Sequence, residues 1–405
     1  MKNDIAKIFR LQAFWVRSVI LLPNAIEVEI ELKKKYRRCP RCGKRANYRH
    51  QAGKIRFVKH HLWGERIVYL KGRKDRWHCR RCDKPFTEQW PGLKQWSRKT
   101  ETAEYQLLNL LKGKSFRQLQ QENGVSDHEA RYLLAKVDTT PTWQEEQKQE
   151  NIRLGIDEHS FRGRNLVITV TNLSQRRLKA ILPDDQQKSI KAWLKAIPEE
   201  IKPKIKEVCI DMKELFAAAI RQELPLSDIV LDHFHVIQDA NRRLDEARRL
   251  EQEMQRRRHI GKRWWFLMGR ERLDGKHRVM LDQLLERYAS LKDFYYYKEQ
   301  LRAFYKAKSR EEAAVLMSRI ILNMECSDDA AINQWGRTLK HWRNYILNYF
   351  KSKTTNAFTE GAHNKIKMIK RMSFGFRNVQ TYIRKMMIAF IPIAYLGGLI
   401  WHTLC

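Results

Sequence analysis

Two Cys-x-x-Cys pairs, Cys39/Cys42 and Cys79/Cys82, are separated by 36 residues near the start of the chain. Each pair offers two thiolates to one ion, and two pairs complete a tetrahedral zinc site with four sulfur ligands. The chain has seven cysteines, an odd number, and we find no secretory signal, so metal binding is favoured over disulfides. Nearby histidines are alternative ligands for one position: His50, His60, His61 and His78. The pattern predicts a structural Zn²⁺ ion, because four thiolates leave no position open for water.

The stretch around these cysteines is strongly basic. Residues 31–99 hold 23 Lys or Arg against 5 Asp or Glu, in a 405-residue chain whose formal net charge is +34. This excess is too large for most metabolic enzymes and predicts a polyanionic partner, with nucleic acid favoured over an anionic membrane surface. Apolar/acidic alternation over Ile26–Leu32 predicts a strand, as do short runs at Ile67–Leu70 and Trp77–Cys79. We therefore expect a β-rich module around the zinc site.

Two capped helices are predicted after the cysteines. Ser115–Gln118 and Ser126–Glu129 both match the capping box, and Glu122–Val125 between them contains a Gly suited to a tight turn. Helix, turn and capped helix at this spacing predict a helix-turn-helix, although an ordinary helical hairpin has the same pattern. The adjacent basic stretch favours DNA binding. The recognition helix would begin at Ser126 and present Asp127, His128, Arg131 and Tyr132 to the major groove.

From Ile152 onwards the sequence alternates between strand and helix patterns. Five strands are predicted: Ile152–Asp157, Leu166–Thr171, Leu178–Leu182, Val208–Asp211 and Ile229–Asp232. Helix patterns over Gln186–Ile197 and Lys213–Glu223 give the order β-β-β-α-β-α-β, which indicates an α/β layer fold with a mixed sheet. Residues 233–350 are charged and helical, and residues 355–372 form a further helix.

Carboxylates at the ends of these strands mark a candidate active site. Asp157 ends the first strand and Asp211 ends the fourth, and an Asp at such a buried position is unusual unless it is paired or binds metal. The best candidate for a third ligand is Glu360, in a predicted helix. Three polar residues share its helical face: Asn356, Asn364 and Lys367. Oxygen ligands suit Mg²⁺ or Mn²⁺, and two such ions can promote attack on a phosphodiester.

Asp232 and His235 form a second acidic element. Asp232 also ends a strand, which makes it the alternative to Asp211 as the second acid. His235 follows at i+3, so the pair can order the site or contact substrate, and a buried polar brace is an equally good interpretation. If Glu360 is not the third ligand, Glu158 is the next candidate.

Trp264 and Trp265 are surrounded by cationic residues in the helical stretch. The flanking cations are Arg256–Arg258, Lys262, Arg263 and Arg270. Bases can stack on tryptophan while arginine meets phosphate, so this segment is a candidate DNA contact. Paired tryptophans are more often part of a core, and the sequence leaves both interpretations open.

The order of these motifs resembles the ISL-three family of bacterial insertion-sequence transposases, over residues 30–390. The matching motifs are a Cys-Pro-x-Cys-Gly ribbon, the helix-turn-helix, Gly-Ile-Asp157-Glu158, Ile-Asp211-Met, Asp232-His-Phe-His235, Thr-Glu360-Gly-Ala-His-Asn-Lys-Ile-Lys367, Arg371 and Gly375-Phe-Arg377. The resemblance implies an RNase H-like domain with a DDE triad of Asp157, Asp211 and Glu360, and a helical insertion before the glutamate. Asp232 and His235 resemble the Asp-x-x-His element that follows the second acid in related transposases. Lys367 and Arg371, in the last block, are assigned to DNA contact.

The predicted organisation is a multidomain α/β protein in five parts. They are residues 1–99, a β-rich zinc-ribbon DNA-binding module; 100–150, a helix-turn-helix and linker; 151–235, the first part of an RNase H-like catalytic core; 236–350, a helical insertion; and 351–405, the C-terminal helices of the core. We expect a transposase that binds terminal inverted repeats and catalyses two-metal-ion DNA cleavage and strand transfer. The expected partners are double-stranded DNA, at the ends and at the target, and further copies of the chain in a homodimer or higher oligomer.

Two other classes of protein share some of these features. A non-catalytic or domesticated DNA-binding regulator would be expected to have lost the acids, and all three are present. A metal-dependent nuclease would explain the acids but not a separate DNA-reading half. The longest apolar run, Met386–Trp401, has 16 residues, fewer than the ~20 of a spanning helix, and predicts a buried helix and strand-like tail. We therefore expect no membrane partner and a cytoplasmic, nucleoid-associated protein.

Overall fold

The computed structural model of the chain describes residues 2–256 and 259–391. They form two compact units, one of Met1–Thr139 with the C-terminal stretch from Met368, the other of Thr140–Lys367. Each unit has buried apolar clusters of its own. Arg257, Arg258 and the apolar run beyond Ile391 lie outside the described residues.

Both units contain strands and helices. The described strands are β1 (Phe14–Leu21), β2 (Ala25–Leu32), β3 (Tyr48–Gln51), β4 (Ile55–Trp63), β5 (Arg66–Arg73), β6 (Arg76–Cys79), β7 (Lys84–Thr87), β8 (Ile152–Arg162), β9 (Asn165–Asn172), β10 (Arg177–Leu182), β11 (Ile205–Ile210) and β12 (Asp228–Leu231). The described α-helices are α1 (Lys2–Ile8), α2 (Glu101–Leu111), α3 (Phe116–Asn123), α4 (Asp127–Ala135), α5 (Gln187–Lys195), α6 (Glu214–Glu223), α7 (His233–Met254), α8 (Arg263–Leu267), α9 (Gly275–Arg287), α10 (Ala289–Phe304), α11 (Arg310–Glu325), α12 (Ala330–Ser352), α13 (Ala357–Met372) and α14 (Val379–Phe390).

The first unit begins with two small sheets. One has the strand order β1-β2-β5-β4 and the other the order β3-β6-β7. In β2 the apolar side chains from Ile26 to Leu32 are buried, while Glu29 and Glu31 are exposed, so the predicted alternation is confirmed. The strands predicted at Ile67–Leu70 and Trp77–Cys79 correspond to β5 and β6. The cysteine pairs therefore lie within a β-rich region.

Helices α2, α3 and α4 form a separate apolar cluster in the same unit, to which Ile388 of α14 also contributes. The capping box predicted at Ser115 is present, and Gly124 ends α3 in the left-handed region at φ 60°. At Ser126 only half of the box forms, since its side chain accepts from the Glu129 N–H. The Glu129 carboxylate pairs with Lys99 instead of returning to the Ser126 amide.

The second unit is built on a five-stranded mixed sheet. Its strand order is β10-β9-β8-β11-β12, with antiparallel pairing on one side of β8 and parallel pairing on the other. The predicted order β-β-β-α-β-α-β is confirmed, with α5 and α6 at the two crossovers. Helices α7 to α12 fill the stretch predicted to be helical, and α13 follows as expected. None of the described helices is long and apolar enough to cross a membrane.

Candidate active site

Asp157 lies in the middle of β8, not at its end as the sequence suggested. The strand continues to Arg162, because a hairpin at Gly163 (φ +56°) pairs its second half with β9. The parallel pairing of β8 with β11, however, reaches only to Gly155, opposite Cys209. Asp157 is therefore at the end of the parallel ladder even though its own strand goes on. Its carboxylate is buried, with 6% exposure.

Asp211 and Asp232 follow the next two parallel strands directly. Asp211 comes after β11 and Asp232 after β12, so both lie at the carboxyl edge of the sheet, where parallel strands end together. Asp232 is the N-cap of α7 and accepts a hydrogen bond from the Phe234 N–H at 3.3 Å. It is buried at 1% exposure. The register of the sheet thus brings three aspartates to one edge.

Glu360 reaches the site from α13, whose start is fixed by a fully buried asparagine. The Asn356 Nδ2 donates to the Ile156 carbonyl at 3.2 Å and to the Cys209 carbonyl at 3.4 Å. The Asn356 backbone N–H donates to the Asp232 carboxylate at 3.3 Å. Glu360 lies one turn later, its N–H bonded to the Asn356 carbonyl at 2.9 Å. Asn356 therefore positions the glutamate over β8 and β11.

Gly155 makes this docking of α13 possible. A Cβ atom at position 155 would lie 2.5 Å from the Asn356 Oδ1 and 2.7 Å from the hydroxyls of Thr171 and Thr359. Such contacts are far shorter than normal packing, so any side chain here would displace the helix. The glycine of the Gly-Ile-Asp motif is thus part of the site. In the sequence this glycine is recognisable only as part of a motif, with no role of its own.

The acids and His235 form two clusters that share the histidine. One ligand atom each from Asp157, Asp211 and His235 lies within 4.8 Å of the others, and the same holds for Asp232, His235 and Glu360. The His235 Nε2 is 2.8 Å from the Asp211 Oδ1. Both atoms are buried, yet neither makes a hydrogen bond of normal geometry. Four carboxylates gathered around one imidazole carry excess negative charge, and such a group of oxygens fits divalent cations.

The charge in these clusters changes the proton affinity of its members. Burial, reinforced by the Asp211 charge, raises the pKa of Asp157 to about 7. Burial and the Asp232 charge also raise the pKa of Glu360. Burial alone would lower the pKa of His235, but Asp211 and the neighbouring acids raise it to about 9, so this imidazole carries a proton at neutral pH. The positive imidazolium offsets part of the repulsion among the carboxylates. Bound cations would offset that repulsion more completely.

His363 is a member of the site that sequence analysis missed. Its Nδ1 lies 3.3 Å from the Asp157 carboxylate and its Nε2 is 2.9 Å from the Thr169 hydroxyl. Burial, and then Lys367, lower its pKa to about 4, so the ring is neutral. It follows Glu360 at i+3, which is the spacing that would have indicated a shared helical face.

Other predicted site residues are not members of the two clusters. Asn364 and Lys367 are exposed on α13, and the Glu158 carboxylate pairs with Lys213. Trp264 is 40% exposed, whereas Trp265 is half-buried against the core of the second unit. The candidate DNA-contacting residues of the first unit are all exposed: Ser126, His128, Arg131, Tyr132 and Arg371.

The four paired cysteines converge in the first unit. Their sulfur atoms lie within 4.8 Å of one another, with 3.5 Å between Cys42 and Cys79 and 4.0 Å between Cys39 and Cys82. Tetrahedral coordination by sulfur implies separations of roughly 3.7 Å. Although burial raises the pKa of the Cys39 thiol, the N–H groups of Arg41 and Cys42 lower it to about 7. The group of four cysteines is compatible with a zinc ribbon. Within the described part of the chain, no histidine belongs to this group.

Comparison with known proteins agrees with this geometry. Residues 154–386, which include every acid of the two clusters, match the ISL-three family, described as transposase. The chain is also similar to the transposase for insertion sequence element IS1001 of Bordetella parapertussis, with 26% identity over 360 residues. That similarity covers 87% of this chain and 88% of the Bordetella protein. The chain therefore belongs to the ISL-three family of insertion-sequence transposases and is a DDE transposase.

Proposed function

We propose that this transposase binds the terminal inverted repeats of its element through the first unit and cleaves and joins DNA strands in the second. The observation that carries the proposal is the convergence of four carboxylates from β8, β11, β12 and α13 on the shared His235. Stable assembly of so many acids at a partly buried site needs compensating positive charge. A DNA phosphate brings more negative charge, so divalent cations are the suitable counter-charge.

We infer that Asp157, Asp211 and Glu360 hold two Mg²⁺ or Mn²⁺ ions. When bound, such ions supply the charge that activates a water or a 3′-hydroxyl and stabilises the leaving oxygen. Asp157, with a pKa of about 7, must give up any proton it carries before its carboxylate can act as a ligand. His363, neutral and next to Asp157, holds that carboxylate in place.

The hydrogen bonds of the two neighbouring aspartates support Asp211 as the second acid. The Asp232 carboxylate accepts from the backbone N–H groups of Phe234 and Asn356, which makes it a brace between α7 and α13. The Asp211 Oδ1 accepts no backbone N–H and instead faces the His235 imidazolium at 2.8 Å, a counter-charge that a divalent cation would replace. We therefore keep Asp232 and His235 as accessory residues.

The fold supports this assignment. A sheet with three antiparallel strands followed by two parallel ones, and acids near the first and fourth, agrees with the RNase H-like domain that the resemblance implies. In this interpretation α7 to α12 form an insertion before the helix that carries Glu360. We also propose that the chain is divided into the five domains predicted from the sequence.

We infer that the first unit reads the DNA ends. Four converging cysteines support a structural Zn²⁺, and the basic charge of residues 31–99 supports binding to DNA phosphates. Helices α3 and α4, joined through Gly124, support a helix-turn-helix with α4 in the major groove. Lys367 and Arg371, both exposed on α13, would contact DNA phosphates.

Arg131→Ala should reduce discrimination between terminal-repeat DNA and random DNA by about tenfold, because one base contact is worth about 1–3 kcal/mol. Arg131 is exposed on α4, where its guanidinium donates to the Asp127 carboxylate at 2.6 Å and lies 5.1 Å from the Phe116 ring centroid, so the change removes surface contacts but no buried side chain. Binding would be measured by titration of both DNAs at one salt concentration. Lys34→Ala, at an exposed lysine of the basic stretch, is the control and should weaken binding to both DNAs equally. If Arg131→Ala weakened binding to both DNAs equally, Arg131 would contact phosphates and not bases.

Strand transfer separates this proposal from a DNA-binding regulator and from a nuclease. With paired terminal repeats, target DNA and Mg²⁺, we expect products in which a 3′-hydroxyl of the element end is joined to target DNA. A regulator would bind the ends and cut nothing, and a nuclease would cut without joining. Ends with a scrambled repeat are the control and should give no joined product. Assembly on paired ends would require at least a dimer, and action on chromosomal DNA would place the protein at the nucleoid, in the cytoplasm.

A further inference from the structure

A cavity of about 690 Å³ lies next to the acid clusters in the second unit. Its walls come from the start of α7, from α8 and the segment after it, and from α10. Phe234 stands between the two histidines that flank it, and its N–H is bonded to the Asp232 carboxylate. The cavity therefore adjoins the acid clusters through His233, one of its lining residues, whose Nδ1 is 3.3 Å from the Asp232 Oδ1.

Two aromatic rings line this cavity and remain exposed. Phe234 is 49% exposed and Trp264 is 40% exposed, and both are cavity-lining residues. Ile237 and Leu267 add apolar surface between them. Large aromatics left open to solvent in a concave apolar site mark a place where a flat ligand can stack. Nucleobases are flat and offer a π face whatever their sequence.

The far wall of the cavity is cationic. Arg272 is exposed, and its side chain has no ion pair or hydrogen bond within the described part of the chain. Arg302 also lines the cavity, but its guanidinium is already paired with Glu271 and, at 3.6 Å, with Glu299. An arginine with free donors, such as Arg272, beside exposed aromatics suits a ligand that joins a base to phosphate.

We propose that this cavity binds one unpaired nucleobase from the nucleotide next to the phosphodiester that is cut. The base stacks on Phe234 and Trp264, and the adjoining phosphate meets Arg272. A nucleotide anchored there is linked through its sugar to a phosphate at the acid clusters, so stacking fixes the position of the scissile bond. Taking the base out of the duplex costs stacking and pairing energy, which the cavity offsets. This inference rests on the proposed cleavage of element ends by the second unit.

The test compares nicking of paired and abasic DNA by the full chain. Phe234→Ala and Trp264→Ala should nick fully paired terminal-repeat DNA about tenfold more slowly than the wild type, because each removes one stacking surface. A second substrate carries an abasic nucleotide beside the cut. On this DNA the variants and the wild type should nick at the same rate, since no base is left to extrude or stack. Phe234→Leu and Trp264→Leu keep apolar volume without the ring and should behave like the alanine variants. Tyr296→Ala, at an exposed ring of α10 outside this cavity, is the control and should nick at the wild-type rate.

The outcomes separate this inference from the function on which it rests. If the wild type nicks its ends and the aromatic variants match it, the base-binding cavity is wrong while the proposed cleavage stands. If the variants are slow and remain equally slow at every abasic position tested, the rings act by supporting the fold and the inference is also wrong. A wild type that does not nick terminal-repeat DNA with Mg²⁺ would contradict the proposed function itself.

Discussion

Asp157→Asn, Asp211→Asn and Glu360→Gln should each reduce Mg²⁺-dependent nicking of terminal-repeat DNA by about a thousandfold or more. Each change keeps an oxygen in place and removes one negative charge, which weakens metal binding. Stabilisation of the developing charge by the metal ions is worth several kcal/mol. Each loss of about 1.4 kcal/mol slows the reaction about tenfold. The variants should fold, because burial and neighbouring acids already raise the pKa of Asp157 and Glu360 and make their ionised forms costly. Binding to the ends should stay within about twofold, since the first unit is unchanged.

Two further variants make this prediction specific. Asp228→Asn removes a carboxylate from the same sheet, where it pairs with Lys351 at 2.7 Å on the surface, and should nick normally. Asp232→Asn should retain measurable nicking, because its role is to brace Phe234 and Asn356. An inactive Asp232→Asn beside an active Asp211→Asn would make Asp232 the second acid. Normal nicking by Glu360→Gln would place the third ligand elsewhere, and Glu158 would be tested next.

Cys39→Ser combined with Cys82→Ser should release the zinc and abolish specific binding to the ends. The wild type should contain one zinc per chain by elemental analysis, and the double variant none, because two thiolates alone hold the ion poorly. Zinc binding to small domains contributes about 10–16 kcal/mol, more than a β-rich module of this size gains from its apolar core. We therefore expect residues 31–99 to unfold when zinc is lost.

The two units should respond differently to this change. The second unit has its own apolar cluster, so its thermal transition should persist in the double variant. Cys326→Ser, at an exposed cysteine of the second unit, is the matched control and should keep both zinc and end binding. Wild-type protein without zinc, or a full zinc content in the double variant, would contradict the predicted zinc ribbon.

The sequence alone determined most of the elements. The apolar alternation over Ile26–Leu32, the capping box at Ser115 and the succession of strands and helices along the chain up to Asp232 depend on patterns within a few residues, and all three are confirmed. Cysteine spacing likewise predicted the four-sulfur cluster. Such features are local, so periodicity and residue type reveal them without knowledge of the tertiary fold.

Only the tertiary structure decided how distant residues combine. The hairpin with β9 carries β8 past Asp157, and α14 packs into the cluster of α2, α3 and α4, where Lys385 donates to the Lys114 carbonyl at 2.6 Å. Asn356 bonds to Ile156 across 200 residues of chain, and that contact requires the space left by Gly155. His363 joins the site in the same way, through the docking of α13 on the sheet. Contacts of this kind depend on packing between elements, and packing leaves no periodic signal in the sequence.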